Sequence, residues 1–512
     1  MTEFDSGVGG DAGDGERRLT AVVVTMKPRL RGRIRRTVET LLRLGYTVVL
    51  LTHADPVPIR GDLSHPQFMV LQVPTRSWLE RAQTAIAAIS ARRLARQRTA
   101  RGWFRRTRGA GTWLHAEFDQ PVRVLAGPRR RSVRWAVRWL QLLAIRWVRR
   151  TGRAVVRLRN AGWRVLVRTV RSALRPFHRF SRFLAYWQAS SEVAVAAAPD
   201  LVVSSDLPGL VGASRAARRL RRPHVHDCHE LYLESTALTR LDRWLFRRYE
   251  RRHMRRADLV LAVNHSIATE YRRRYRLRRV RVVRNCAQLP VRLQPVSLRD
   301  LARLPARSSV VLYQGGFSPG RGLDVLIDGV SRLPAQVALV LLGFGSLEEE
   351  LRRQAAARGI ADRFRILPAV RPEDLLAVTA SATVGVIPYQ PVSRNNYFCL
   401  PNKVFEYTAV GVPIIAADLP ELRKIAVGAG CGVVFDSYDP GSFTAAANDL
   451  LQPHAYERAK AAAGRYGMEN HWDVERRRFE TALARVMPAA PARPAGRRPA
   501  ARPAALLREA TL

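Results

Sequence analysis

Short apolar runs alternate with amphipathic stretches along both halves of the chain, and this spacing predicts alternating strands and helices. Residues 19–26 are rich in β-branched side chains. Residues 31–44 carry apolar positions at helical spacing, and 46–52 form a second apolar run. Together they predict strand, helix and strand, the opening of a parallel α/β sheet. Runs at 201–204, 224–227, 259–263 and 280–283 extend that sheet, and a second series follows at 310–313, 337–342, 364–367, 383–387, 413–416 and 432–435. Two such series in 512 residues predict two doubly wound, Rossmann-like domains with ligands at the carboxyl ends of their strands. The expected boundaries are 18–293 for the first, a linker at 294–309, and 310–469 for the second. An acidic, Gly-rich tail at 1–17 and a Pro-, Ala- and Arg-rich tail at 488–512 are expected to be disordered.

Charge changes this picture in one place. The net charge is +45, and four lysines among 87 basic residues point to a GC-rich genome that inflates arginine. Composition alone spreads charge evenly, yet residues 78–185 hold 27 arginines against three acids, and residues 78–187 hold eight of the ten tryptophans. Arg146, Arg149, Arg153, Arg157, Arg164, Arg168, Arg171, Arg175, Arg179 and Arg182 step at helical spacing, so 78–187 reads as a basic helical insertion in the first domain. Gly152, Gly162 and Pro176 argue against one continuous helix. Arginine on one face with Trp, Leu and Val elsewhere suits an anionic membrane surface. A solvated face over a local core is the plainer alternative. Charge also admits a nucleic-acid-binding protein, but no nucleic-acid motif accompanies it, and nucleic acid is not the expected partner. Cys228, Cys286, Cys399 and Cys431 form no CxxC pair, the amino terminus lacks the order of a signal peptide, and no apolar run nears the roughly 20 residues that cross a bilayer. A cytoplasmic protein, peripheral to the inner face of the membrane, is expected.

Candidate chemistry lies mainly in the second half. Tyr-Gln-Gly-Gly-Phe-Ser-Pro-Gly-Arg-Gly at 313–322 follows a strand and opens a helix. Its Gly315 and Gly316 allow close approach of a phosphate, and Arg321 supplies charge; a tight turn without a ligand is the alternative. Further on, Pro-Asn-Lys-Val-Phe-Glu-Tyr-Thr-Ala-Val-Gly at 401–411 predicts a short helix capped by Asn402 and ended by Gly411. Lys403 then occupies the first turn, against the helix dipole, a conflict that a bound anion relieves. Glu406, one turn on, can accept two ribose hydroxyls.

These residues carry a resemblance. The run NKVFEYTAVGVPIIAADLPEL resembles the donor-binding segment of family 4 glycosyltransferases, YQGGFSPGRGLDVLI resembles that family's glycine loop, and LLGFGSLEEEL its next strand, loop and helix. The resemblance implies a GT-B fold: two Rossmann-like domains facing a cleft, with a nucleotide-sugar donor as co-substrate and no further cofactor. It implies Glu406 on the ribose, with Arg321 and Lys403 facing the diphosphate. Gly316 stands where many members carry arginine, a contact that Lys403 or Arg394 would replace. The first of the family's paired glutamates would fall at Phe398, so the loop with Asn395, Tyr397 and Phe398 is expected to meet the sugar differently. The stretch 367–371, with Val370, falls where the base is held.

In the first half, HDCHELY at 226–232 resembles the family's strand-end histidine motif, which makes His229 and Glu230 the catalytic candidates. A metal site of His224, His226, Asp227 and His229 is the weaker alternative, since the family generally works without metal. Arg31 and Gly32, in Arg-Leu-Arg-Gly-Arg at 29–33, form a candidate phosphate or acceptor loop, with a basic turn as the alternative. HWDVER at 471–476 resembles the terminal helix, 470–487, that returns to the first domain. The family further implies transfer with retention and without metal. The basic insertion suggests a lipid-linked or glycan acceptor at the membrane. The competing functions are the nucleic-acid-binding protein on a GT-B-like scaffold and a nucleotide-sugar epimerase.

Overall fold

The computed structural model describes residues 19–53 except 28, 29 and 31; 63–92 except 76, 78, 83, 86 and 90; 147; and 161–487 except 164, 171 and 291. The chain divides into two compact units, the described residues of Met1–Pro74 with Tyr186–Leu512, and those of Thr75–Ala185.

The larger unit contains two wholly parallel sheets. The first comprises β1 (Thr20–Val24), β2 (Thr47–His53), β3 (Phe68–Val73), β4 (Leu201–Ser205), β5 (His224–Cys228), β6 (Leu259–Ala262) and β7 (Val280–Val282), in the order β3-β2-β1-β4-β5-β6-β7. The second comprises β8 (Ser309–Phe317), β9 (Val337–Gly345), β10 (Phe364–Leu367), β11 (Val384–Ile387), β12 (Ile414–Ala417) and β13 (Gly432–Phe435), in the order β10-β9-β8-β11-β12-β13. Central strands read as continuous apolar runs because helices cover both faces. β1 and β12 are buried almost throughout. In both sheets the strand order reverses beside the first strand, between β1 and β4 and between β8 and β11. Such switch points open a crevice at the strand ends. This is the GT-B architecture.

Three expectations need correction. β3 was not anticipated. It is an edge strand, only partly buried, so Phe68–Val73 shows neither clean alternation nor an unbroken apolar run. The stretch 294–309 is not a free linker: it contains the helix Leu298–Leu301, and Leu298, Ala302 and Leu304 join the core of the second sheet. Asn402 is the first residue of the helix Asn402–Ala409, and Pro401 is its cap. Proline's fixed φ and missing N–H suit a helix start.

The helix Trp472–Ala484 packs Trp472, Phe479, Ala482 and Leu483 into the core of the first sheet. Its Glu475 is fully buried and accepts from the Arg284 backbone N–H at 2.8 Å and from Arg284 Nη2 at 2.7 Å. Glu475 also accepts from Arg478 Nη1 at 2.6 Å, so Arg284→Met leaves it one exposed cation and is expected to lower stability by about 2 kcal/mol, read as an earlier urea midpoint.

In the smaller unit, Arg146, Arg149, Arg153, Arg157, Arg164 and Arg171 lie outside the described residues. Arg168, Arg175 and Arg182 are exposed. A 3-10 turn at Arg175–Phe177 interrupts the ladder at Pro176 before the helix His178–Ala196 begins.

Candidate active site

The carboxyl ends of the two sheets face one cleft, a cavity of about 510 Å³. Of the residues singled out from sequence, His229, Glu230, Gly315, Gly316, Arg321, Val370, Asn395, Lys403 and Glu406 line it.

Near the end of β8 Gly315 adopts φ +128, and its partner Gly343 near the end of β9 adopts φ +156, conformations open to glycine. A Cβ on Gly343 would stand 2.0 Å from the Gly315 carbonyl oxygen, and one on Gly315 would meet Lys403 Nζ at 2.9 Å. These glycines let the backbone of both strands reach the cleft beside the lysine.

Lys403 is 7% exposed. Its Nζ donates to Tyr389 Oη at 2.8 Å and lies 4.8 Å from the Tyr313 ring centroid. Burial disfavours its charge, but the hydroxyls of Tyr389 and Tyr313 outweigh this and hold its pKa above the ordinary value. Among the described residues no carboxylate lies within ion-pairing distance of it. Arg321 stacks over Tyr389, 4.0 Å from the ring centroid. The two cations thus share one aromatic support.

Glu406 Oε2 accepts from Gln314 Nε2 at 2.5 Å, while Gln314 Oε1 accepts from Thr379 Oγ1 at 2.9 Å. The chain of donors fixes both amide and carboxylate. Burial raises the Glu406 pKa against the opposing pull of Gln314, Lys403 and Arg36.

Across the cleft, three adjacent strand ends assemble one charge cluster. Lys27 follows β1, Asp206 follows β4 and His229 follows β5. Asp206 accepts from Lys27 Nζ at 2.9 Å and from the His229 backbone N–H at 2.8 Å. It adopts φ +51, in the left-handed region that aspartate tolerates better than most residues. His229 places Nδ1 3.3 Å from Asp206 and Nε2 3.3 Å from Asp227. Arg33 Nε and Nη2 fork onto Asp227 at 2.9 and 3.1 Å.

Burial opposes protonation of His229, but Asp206 and Asp227 outweigh it and raise its pKa to about 9. A raised pKa stabilises the fold fully below the unfolded value near 6.5 and loses that contribution as pH rises through 9. Between pH 6.5 and 9 wild type is expected to lose on the order of 2–3 kcal/mol that His229→Gln does not, read as the pH dependence of the melting temperature.

Glu230 is pushed up, mainly by burial and also by Asp206, and accepts from Asn395 Nδ2 at 3.0 Å. Asn395 Oδ1 in turn accepts from the Leu231 N–H at 2.9 Å, so this side chain joins the two halves of the cleft. Asn264 Nδ2 donates to the Phe398 carbonyl, and Arg394 pairs with Glu270 at 2.9 Å.

Several expectations fall away here. Arg394 is spent on Glu270, so it does not replace the arginine missing at Gly316. Tyr397 is 44% exposed, and neither it nor Phe398 lines the cleft. The short helix Arg394–Tyr397 presents Asn395 inward instead. Gly32, at φ +54, is the first residue of the helix Gly32–Arg43 and does not line the cavity, and Arg31 lies outside the described residues. His224 Nε2 and His226 Nδ1 both meet Ser204 Oγ at 2.8 Å, whereas His229 sits between two carboxylates, so the four proposed metal ligands do not converge. Sequence reasoning missed Lys27, Asp206, Gln314, Tyr389 and the exposed Phe344 at the cleft wall.

Two family descriptions match this chain: Glycosyltransferase Family 4 over residues 148–289 and Glycosyl transferases group 1 over residues 308–453, together more than half of it. The chain belongs to the family 4, group 1 glycosyltransferases. Among relatives in this family, D-inositol 3-phosphate glycosyltransferase of Acidothermus cellulolyticus is 29% identical over 290 residues, 52% of this chain and 62% of that protein. The GDP-mannose-dependent alpha-(1-6)-phosphatidylinositol monomannoside mannosyltransferase of Mycolicibacterium smegmatis is 28% identical over 181 residues, 35% of this chain and 46% of that protein. The chain thus spans about half the length of these curated relatives. Sucrose-phosphate synthase from Thermosynechococcus elongatus superposes with a TM-score of 0.59 at 17% identity, over 91% of this chain and 99% of that one, a likeness of fold.

Proposed function

We propose that this chain transfers a sugar from a nucleoside diphosphate sugar to an acceptor bound against the first sheet. The observation that carries the reading is Lys403: a buried ammonium without a carboxylate partner among the described residues, opening beside Arg321 and Glu406 onto one cleft. A buried cation calls for a counter-charge. A diphosphate supplies it, and Glu406 stands ready for the ribose. Val370, Leu375 and Phe344 offer apolar surface to the base.

As the glycosidic bond breaks, negative charge grows on the leaving diphosphate. Lys403, Arg321 and the backbone N–H groups of Gly315 and Gly316 stabilise it in a partly dehydrated site. Positive charge from the chain itself makes the reaction metal-independent. His229, held between Asp206 and Asp227, places positive charge beside the transferred sugar, and Glu230 with Asn395 orients the loop that covers it. No side chain serves as nucleophile. The acceptor approaches from the face that the diphosphate leaves, the leaving phosphate takes the acceptor proton, and the anomeric configuration is retained.

The acceptor is a glycan or lipid-linked sugar precursor at the cytoplasmic membrane face, where residues 78–187 rest on anionic lipid. Inositol phosphates and phosphatidylinositols belong among the candidates because both relatives' names carry such acceptors. The test is nucleotide release from UDP-, GDP- and dTDP-sugars with D-inositol 3-phosphate, phosphatidylinositol and a lipid extract, with and without a chelator. Release that depends on Glu406 and survives chelation supports the reading. Absence of release or donor binding across the panel overturns it.

A further inference from the structure

A second cavity, of about 750 Å³, lies between the helices Asp206–Leu220 and Arg240–Met254 and shares no lining residue with the cleft. Arg215, Arg218 and Arg219 line it from the first helix. Arg248, Arg252 and Arg256 line it from one face of the second and its end, and no Asp or Glu joins them. The spacing explains the convergence: positions three, four or eight apart share a helix face.

None of the six arginines has an ion pair among the described residues. Exposed arginines without an ion pair occur elsewhere among the described residues, Arg247, Arg276 and Arg303 among them, so what marks this cavity is the convergence of six on one concave surface that no Asp or Glu lines. Helix ends do not neutralise them. Each carboxyl terminus offers roughly half a negative charge, far short of six guanidiniums. At the floor, His253 and Ser214 are buried and bonded to each other, Nδ1 to Oγ at 2.9 Å. Burial first, then Arg256, Arg215 and Arg252, hold the His253 pKa down at about 4. The imidazole is therefore neutral at physiological pH, and it leaves a hydrogen-bonding floor beneath a cationic wall.

We propose that this cavity is a second anion site, distinct from the cleft, that takes a ligand bearing two or more phosphate groups. Guanidinium forks match phosphate oxygens in pairs, and six of them exceed what one phosphate can engage. Such a group can come from a free polyphosphorylated anion or from a lipid headgroup.

Two measurements on the full chain separate these sources: isothermal titration with tripolyphosphate, and co-sedimentation with phosphatidylcholine vesicles containing cardiolipin. Arg218→Gln/Arg252→Gln is expected to weaken binding by roughly tenfold or more in at least one of them. Arg352→Gln/Arg353→Gln removes the same charge from another helix and leaves binding unchanged. Both arginine doubles are made in the Lys403→Met background, so that the cleft's own affinity for a diphosphate does not enter the reading. Loss in the titration assigns a free anion, and loss in sedimentation assigns a headgroup. Arg218→Lys/Arg252→Lys retains most binding, which distinguishes lost charge from lost fold. Equal binding by the two Arg→Gln doubles in both measurements overturns the proposal.

Discussion

Glu406→Gln is expected to weaken nucleoside diphosphate binding by roughly 100-fold while leaving the melting temperature nearly unchanged. The carboxylate is held from behind by Gln314 at 2.5 Å, and Gln314 is held by Thr379, so Glu406 has one orientation in which to meet a ligand. Two hydroxyls bonded to a fixed, charged acceptor are each worth about 1.5–3 kcal/mol, and an amide of the same shape keeps only part of that. Gln314 donates to Glu406 through its NH₂, so the new amide can turn its oxygen toward Gln314 and its NH₂ toward the ribose. Packing survives, and the defect appears in affinity. Calorimetric titration of both proteins with UDP and GDP reads it. Equal affinities would remove Glu406 from the donor site.

Lys403→Met is expected to lower kcat by about 100- to 1,000-fold, more than it raises KM. The methylene chain of lysine packs where methionine can, so the substitution removes charge with little change in volume. Lys403 shares Tyr389 with Arg321, and the two cations repel one another until an anion arrives. The free protein is therefore expected to keep or gain stability on substitution, while the transition state, where diphosphate charge is greatest, suffers. A fall in melting temperature with unchanged kcat would mark Lys403 as structural. Rates of donor turnover and thermal melts distinguish the two.

The donor half of the cleft was readable because its parts are contiguous. Gly315, Gly316 and Arg321 lie in one strand-to-helix turn, and Lys403 and Glu406 lie one helical turn apart. The opposite wall was less readable. Lys27, Asp206 and His229 are far apart in sequence and meet because β1, β4 and β5 are neighbours, with Val24 opposite Ser204 and Ser205 opposite Asp227. No local pattern marks that coincidence. Gln314 stood inside a motif whose glycines drew attention to the backbone, and its partner Glu406 lies 92 residues on. Tyr397 and Phe398 are singled out only by the spacing of the family's paired glutamates, which says nothing of local direction; Ser393 caps the short helix Arg394–Tyr397, which turns Asn395 to the cleft and leaves Tyr397 exposed.

The charge cluster around His229 also links fold to chemistry. Its two carboxylates hold the imidazole protonated and are themselves paired with Lys27 and Arg33, so a change at any member is felt by the rest. Burial opposes ionisation of Asp206 and Asp227, yet their cationic neighbours depress both pKa values. Their contribution to stability is present above the ordinary carboxylate range and disappears as pH falls through the depressed values.

A crystal structure of the full chain with UDP or GDP tests the central claim most directly. The account predicts ribose hydroxyls on Glu406 and the diphosphate between Lys403, Arg321 and the Gly315–Gly316 backbone. A nucleotide seated elsewhere, or a ribose turned away from Glu406 with the diphosphate far from both cations, would contradict it.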